Sequence, residues 1–366
     1  MIIGLIGSRG TVPTAEVATV SFLIDNRFLF ECPSEIVQAF HKFQQYWIEQ
    51  RDISFNSRLE ALGKPTFGKI SHIILSHLHF DHWGGLAHII HRIMLLEKEK
   101  RTAKPLIIII PRDSTIPFQM RMNKIFSNSI KVGILPDDEF FYRLLTITVG
   151  ESIRTVIQIK VIDNGDEILL DSGYFLSAKK NDHFAFGSVS YKLELRVTKL
   201  NVEKAKKLGI PFNKTLKQIE KSKDQLKIGS RKISRSDVFY ENKTILCYSG
   251  DTHVDSDLFK FFSDCQILIH ESTYLTQEEG YHLDSHSDII SLIEEADKLS
   301  DLEVLIPIHF SIRYAEAEIT NCIVKISKES YHVVNPINTL IVQIDQNGSV
   351  FMLSRGNPKN LAENIL

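Results

Sequence analysis

The stretch Ser76-His77-Leu78-His79-Phe80-Asp81-His82-Trp83-Gly84-Gly85 decides how the rest of the chain is read. It follows the apolar run Ile73-Ile74-Leu75 and ends in a glycine pair ahead of a helical pattern from Leu86 to Lys100. At a strand end, residues two apart project to the same side. His77 and His79 can therefore bind one ion while the next turn carries Asp81 and His82 to a second. Chance clusters occur in a chain with 14 histidines, but a position between a strand and Gly-Gly points to a metal loop. The glycines are expected to let the backbone turn sharply and to keep bulk away from the ions.

Three later apolar runs also stop on polar, metal-competent residues. Ile245 to Tyr248 leads into Ser249-Gly250-Asp251, Ile267 to Ile269 into His270-Glu271, and Val304 to Ile306 to the neighbourhood of His309. If these strands lie in stacked sheets, their carboxyl ends can converge on one rim. Asp251 reads either as the cap of a turn or as a carboxylate bridging two ions, and its place after a strand favours the bridge. His309 reads either as a satisfied core histidine or as a ligand, and the company of the other donors favours the ligand. Upstream, Val20 to Ile24 and Arg27 to Phe30 flank the turn Asp25-Asn26 as a hairpin. Helical patterns cover Ser34 to Gln50 and Asp288 to Leu299. His88 and His91 fall on an amphipathic helix and read as helix-surface residues, while His41, His72, His253 and His332 suggest no role.

The 366 residues are 43% hydrophobic and 24% charged, enough for one large core, and no repeat, low-complexity tract or linker divides them. A single domain over 1–366 is expected. The formal charge of −2 excludes a generally basic or acidic protein, yet the charge is unevenly placed. Between Arg196 and Arg235 there are 13 Lys or Arg against Glu203, Glu220 and Asp224, a local +10 that leaves −12 for the remainder. Within it, Val202 to Leu208 reads as a helix stopped by Gly209 and Pro211, and Lys214 to Lys227 as a second with Leu216, Ile219 and Leu226 on one side. An inserted basic arm over 196–236 is the expectation, either a polyanion-binding element or a solvated lysine-rich face.

Cys32, Cys247, Cys265 and Cys322 form no C-x-x-C pair and suit reduced thiols in a cytosol. Met1-Ile2-Ile3-Gly4-Leu5-Ile6-Gly7 has no basic leader and reads as a first strand. The run Leu106 to Ile110 is far short of the roughly 20 residues of a membrane helix. A cytoplasmic protein without a span is expected.

The H-x-H-x-D-H run, Asp251 and His309 together resemble the metallo-β-lactamase superfamily, which implies an α/β αββα sandwich with metals at one rim. Within it the chain is most similar to the ribonuclease Z family, which trims 3′ trailers from precursor tRNA. Asp182-His183-Phe184, leading to Ser190-Tyr191-Lys192-Leu193-Glu194, looks like that family's third ligand motif, and Ile308-His309-Phe310-Ser311-Ile312-Arg313-Tyr314 like its H-F-S-x-R-Y signature. Ala205-Lys206-Lys207-Leu208-Gly209-Ile210-Pro211 resembles the start of its tRNA-binding arm. The resemblance implies two zinc ions, with manganese or iron as alternatives, held by His77, His79, Asp81, His82, His183, Asp251 and His309. It implies substrate contacts from Lys204, Lys206, Lys207, Lys214, Lys217 and Arg313, and a homodimer. His270-Glu271-Ser272-Thr273 and His286-Ser287 resemble further motifs, by which His286 is the proton donor and Asp81 orients the attacking water. His282 is a rival for the donor role, and a surface histidine opening a helix is the bland reading of His286.

The likeness has gaps. Val12-Pro13-Thr14-Ala15-Glu16-Val17-Ala18-Thr19 lacks the basic residue and Asn of the family's amino-terminal loop. Glu31 stands for an Asp, Cys32-Pro33 for a Gly, and Phe212-Asn213-Lys214 for the arm's Gly-Pro. The stretch from Leu86 to Asp182 is also longer than the family suggests. These departures keep two other functions in view: a hydrolase of small phosphodiesters or other small esters on the same fold, and a non-catalytic RNA-binding protein with structural metal.

Overall fold

The computed structural model is described over residues 1–366 except 16, 55–56, 100–104, 126–133, 172, 182, 184–187, 212–213, 222–225, 229–230, 278–284, 328–329, 345–348 and 355–366. Side chains within helices and strands are left out at 50–54, 57–58, 96–99, 118, 122–125, 214, 221, 226–228 and 231.

Alternating burial along the strands builds four layers. In Leu106–Pro111, the side chains of Leu106, Ile108 and Ile110 join a cluster beneath the helices Ile36–Ser54, Leu86–Glu99 and Asp137–Val149, whereas Ile109 enters a second cluster shared by two sheets. In Phe239–Tyr248, Leu246 and Tyr248 enter that shared cluster, while Ile245 and Cys247 pack under helices Ser256–Phe261 and Ile289–Ala296. A side-chain period of two makes each strand apolar on both faces, and a strand covered on both sides must be. The result is the expected α/β arrangement of helix, sheet, sheet and helix.

The first sheet runs in the order Val350–Ser354, Thr339–Ile344, Ile2–Arg9, Ser21–Ile24, Phe28–Phe30, His72–Ile74, Leu106–Pro111 and Ile157–Ile162, with Ala18–Thr19 beside Ile2–Arg9. The second runs His332–Val333, Val304–Ile308, Ile267–Glu271, Phe239–Tyr248, Ser188–Leu200, Tyr174–Asn181 and Glu167–Asp171. The hairpin at Asp25-Asn26 forms as read: both residues adopt positive φ, 46° and 58°, which Asn and Asp tolerate, Arg27 N–H donates to the Ile24 carbonyl across them, and Ile24 pairs with Phe28.

Parallel pairing places the site. Phe28–Phe30, His72–Ile74 and Leu106–Pro111 run parallel in one sheet, and Phe239–Tyr248, Ile267–Glu271 and Val304–Ile308 in the other. The register pairs Tyr248 with Ile269 and Ile269 with Ile306, so these chains leave the sheet side by side. The Tyr191 hydroxyl donates to the Leu75 carbonyl at 2.7 Å and the Tyr248 hydroxyl to Glu31 Oε1 at 2.9 Å, tying the two rims together.

The basic segment begins on the last residues of Ser188–Leu200, Arg196 onward, and otherwise lies between that strand and its antiparallel partner Phe239–Tyr248. Its own small cluster comprises Ala205, Ile210, Ile219, Ile233 and Val238. Helix Val202–Lys207 is capped by Asn201 and ends before Gly209 at φ 69°. The second helix is shorter than read, Lys214–Lys221, because Leu226–Ile228 pairs with Arg231–Ile233 as a hairpin. The Gly229-Ser230 pair is a hairpin signal that outweighs the helical period there. Among the described residues no helix is long and apolar enough to cross a membrane. The four cysteines are free.

Candidate metal centre

Three strand ends and one loop deliver the donors. His77, His79, Asp81 and His82 follow His72–Ile74, Asp251 follows Phe239–Tyr248, and His309 follows Val304–Ile308. His183 comes from the connection between Tyr174–Asn181 and Ser188–Leu200. His77, His79, His183 and Asp251 present ligand atoms within 4.8 Å of one another, as do Asp81, His82 and His309.

Asp251 Oδ2 is the hub. It lies 3.7 Å from His77 Nε2, 4.0 Å from His183 Nε2, 3.4 Å from His82 Nε2 and 3.2 Å from His309 Nε2. Asp81 Oδ2 lies 3.6 Å from His82 Nε2 and 3.8 Å from His309 Nε2. Donors about 2.0–2.2 Å from a tetrahedral ion stand roughly 3.3–3.6 Å apart, so one carboxylate oxygen joins two donor sets of nearly the right size. His82 Nε2 and His309 Nε2 are buried without a hydrogen bond, although carboxylate oxygens stand close by. Lone pairs converging on a shared cation account for that geometry better than N–H donors do. The donor set fits two borderline or hard divalent ions.

Electrostatics prepare the donors. Burial lowers His77 well below the usual histidine range and His79 to about 4, so both stay neutral and offer lone pairs. Burial would raise Asp251, but the imidazoles of His309 and His82 hold it well below the carboxylate range. Asp81 is likewise brought to about 2 against the burial penalty, by His82 and His309. Burial would also lower His82, yet Asp251, Asp81 and Glu31 raise it, so a metal there must displace a proton.

Outer partners orient the ligands. Ser76 Oγ is 3.0 Å from His77 Nδ1, the Ser285 carbonyl 2.9 Å from His183 Nδ1, Thr273 Oγ1 2.9 Å from His309 Nδ1 and Glu31 Oε2 3.3 Å from His82 Nδ1. Such contacts fix the ring and the nitrogen that faces the ion. Glu31 is fully buried at φ 58°, and His309 sits at φ 65°. Left-handed backbone costs a non-glycine residue about 1 kcal/mol or more. Around His309 it is held by Phe310 N–H donating to the Ser8 carbonyl and by Arg9, whose Nη1 donates to the carbonyls of Ser311 and Tyr314. Glu31, Ser76, Thr273 and Ser285 were given no role from the sequence, although Thr273 stands in the His270-to-Thr273 motif and Glu31 at the place of a family Asp after a strand.

The glycine pair serves packing rather than clearance around ions. A Cβ on Gly85 would meet the Pro33 carbonyl oxygen at 2.0 Å, and Gly84 is in ordinary helical conformation. Gly85 lets the metal loop lie flat on Cys32-Pro33.

His286 is not a surface residue. Its side chain is 18% exposed, its Nδ1 lies 3.0 Å from Glu271 Oε1 and 3.2 Å from Thr273 Oγ1, and its ring stacks on His309 at 5.4 Å. It also shares a donor cluster with Asp251 and His309. Burial would lower its pKa, but the Glu271 carboxylate raises it to about 9. Glu271 is pinned in turn by the N–H groups of Thr252, Thr273 and Ser287. His282, Asp182, Phe184 and the Lys214 side chain lie outside the described residues. Lys204, Lys206, Lys207, Lys217 and Arg313 are exposed, as are His88 and His91.

No protein-family model matches the chain. Ribonuclease Z of Methanocaldococcus jannaschii is 28% identical over 277 residues, covering 73% of this chain and 78% of that protein. Ribonuclease Z of Methanococcus maripaludis is 28% identical over 321 residues, covering 85% and 86%. Among solved structures, the short form of human tRNase Z superposes with a TM-score of 0.51 at 15% identity, covering 94% of this chain and 100% of that one. The metallo-β-lactamase fold protein YhfI of Bacillus subtilis gives 0.53 at 12% identity, covering 96% and 98%. The chain is a homologue of ribonuclease Z built on the metallo-β-lactamase fold.

Proposed function

We propose that this chain is a metal-dependent phosphodiesterase that cuts precursor tRNA at the 3′ end, releasing the trailer. The observation that carries the reading is the single oxygen Asp251 Oδ2 shared by two donor sets, a two-metal arrangement suited to phosphodiester hydrolysis. His77, His79, His183 and Asp251 would hold one ion, and Asp81, His82, His309 and Asp251 the other, with zinc best suited to the nitrogen-rich set. Bound divalent ions would supply a lowered water pKa, from 15.7 to about 7, and charge to offset that of the phosphate.

The protein groups do the rest. Asp81, half-buried beside His82 and His309, accepts a hydrogen bond from the attacking water and aims it. As the water oxygen bonds to phosphorus, the bond to the ribose 3′ oxygen breaks. His286, protonated at neutral pH, gives that oxygen its proton. With Nδ1 engaged by Glu271, Nε2 is the atom that transfers it. Glu271 keeps the positive imidazolium stable in a buried place.

The arm supports a folded RNA over a small diester. Its root, at Leu200 and Phe239, is nine residue pairs along the strands from Tyr191 and Tyr248 near the rim. At about 3.3 Å per residue that is roughly 30 Å. Only a substrate of macromolecular size meets both. The reading extends to a homodimer in the cytosol, as for the relatives by resemblance.

The test is cleavage of a precursor tRNA by the zinc-loaded protein, with mass spectrometry of the products and metal analysis. Cleavage just after the discriminator base, with two ions per chain and none of it in Asp81→Ala, is the expected result. A protein that cuts aryl phosphodiesters but no precursor supports the small-diester hydrolase instead.

A further inference from the structure

We propose that Phe80 is the platform on which the first nucleobase of the 3′ trailer stacks, making it a specificity-determining residue; this rests on the nuclease reading above. Phe80 is 62% exposed although it stands between the donors His79 and Asp81. Its free aromatic face at the mouth of a polar site can take a flat partner.

The ring is held in place before any substrate arrives. A Cβ on Gly84 would lie 2.8 Å from Phe80 Cζ, so the ring rests where Gly84 has no side chain. It meets Trp83 in a T-shaped contact, with ring centroids 5.9 Å apart and planes at 79°. Trp83 is itself fixed, its Nε1 donating to the Leu78 carbonyl at 3.1 Å and its ring set against Phe141 at 5.7 Å. A preset aromatic face binds a base at little entropic cost.

Two clefts flank the donor cluster and meet at Thr11. One, about 380 Å³, is lined by Phe80, Asp81, Thr19 and Glu35. The other, about 250 Å³, is lined by His286, His309 and Thr273. The nucleotide that keeps its 3′ oxygen must sit beside the proton donor, in the His286 cleft. The nucleotide carrying the 5′ phosphate then falls on the Phe80 side.

The chemistry of that cleft selects a base rather than a phosphate. It is lined by no Lys or Arg among the described residues, and besides the ligand Asp81 it holds the Glu35 carboxylate. Glu35 Oε1 accepts from Thr19 N–H at 2.8 Å and from Thr19 Oγ1 at 2.5 Å, and Oε2 from Ser34 Oγ at 2.9 Å. A neutral, flat group over Phe80 meets no repulsion there; a second phosphate would.

Cleavage of precursors carrying a normal base, an abasic site or 2-aminopurine at the first trailer position tests the proposal. The wild-type protein is expected to lose about 5- to 150-fold in kcat/KM on the abasic substrate, the worth of one base on an aromatic ring. Phe80→Ala should bring that ratio close to one, and Phe80→Trp should keep it. Phe80→Leu, which retains apolar packing on Gly84 and Trp83 but no aromatic face, should behave as Phe80→Ala. Independently of turnover, 2-aminopurine fluorescence in a precursor with a methylene phosphonate at the scissile position should be quenched by the wild type and not by Phe80→Leu. An unchanged ratio in Phe80→Ala, or quenching only when the probe sits at the last retained nucleotide, overturns the proposal and leaves the nuclease reading standing. A wild-type protein that cuts none of the precursors overturns the nuclease reading itself.

Discussion

Glu31 Oε2 stands 3.3 Å from His82 Nδ1, while the other oxygen of the same carboxylate accepts from Ser76 N–H at 3.0 Å and from the Tyr248 hydroxyl at 2.9 Å. One fully buried side chain thus aims a ligand and stitches the two sheets at the rim. Glu31→Gln keeps the shape but removes the charge. Affinity for the ion beside His82 should fall about 10- to 100-fold, measured by competition with a chelating dye. Equal affinity in the variant would sink the orienting role.

His286 acts at the leaving group, so its removal should depend on what leaves. His286→Ala is expected to lower kcat on precursor tRNA about 10²- to 10⁴-fold with a smaller change in KM. On a p-nitrophenyl phosphodiester, whose leaving oxygen needs no proton, the loss should be under about tenfold. Equal losses on both substrates would assign the residue a structural part in the Glu271 network instead.

The arm is tested by deleting 198–234. Precursor tRNA cleavage should disappear while hydrolysis of a small aryl phosphodiester persists, because the deletion takes only the far end of the strand pair, Thr198 to Leu200, and leaves Tyr191 paired with Tyr248 near the rim. If the arm engages roughly 6 to 10 phosphates, the intact protein's affinity for tRNA should drop about three to five decades between 50 and 200 mM salt, and a lysine-free arm should flatten that slope. Full tRNA cleavage without the arm refutes its role.

His72 predicts a pH dependence away from the metal loop's ligands. It is buried, and desolvation, aided by Lys160 and Arg27, lowers its pKa from 6.5 to about 4. The unfolded chain binds the proton more readily, so the stability tied to the neutral ring is complete above about pH 6.5 and is lost as pH falls towards 4. At pH 5 the loss is about 2 kcal/mol. Urea midpoints at pH 7.5 and pH 5 should therefore differ less in His72→Leu than in the wild type. The same pH dependence in both proteins would remove His72 from the account.

Local chemistry was legible in the chain itself. The donor run from His77 to His82, the hairpin at Asp25-Asn26 and the charge of the arm all rest on spacing, turn preference or composition within a few residues. Strand ends carrying Asp251 and His309 were visible for the same reason, since an apolar run and its polar terminus are neighbours in sequence. What tertiary structure decided is which of these ends meet. Parallel register between strands far apart in the chain brings Asp251 Oδ2 between two donor sets, and no local period encodes that register. The Glu31 contact with His82, the Glu271 clamp on His286 and the exposed seat of Phe80 are likewise products of packing between distant segments. Even the second arm helix was cut short by a hairpin pairing that its helical period could not foresee.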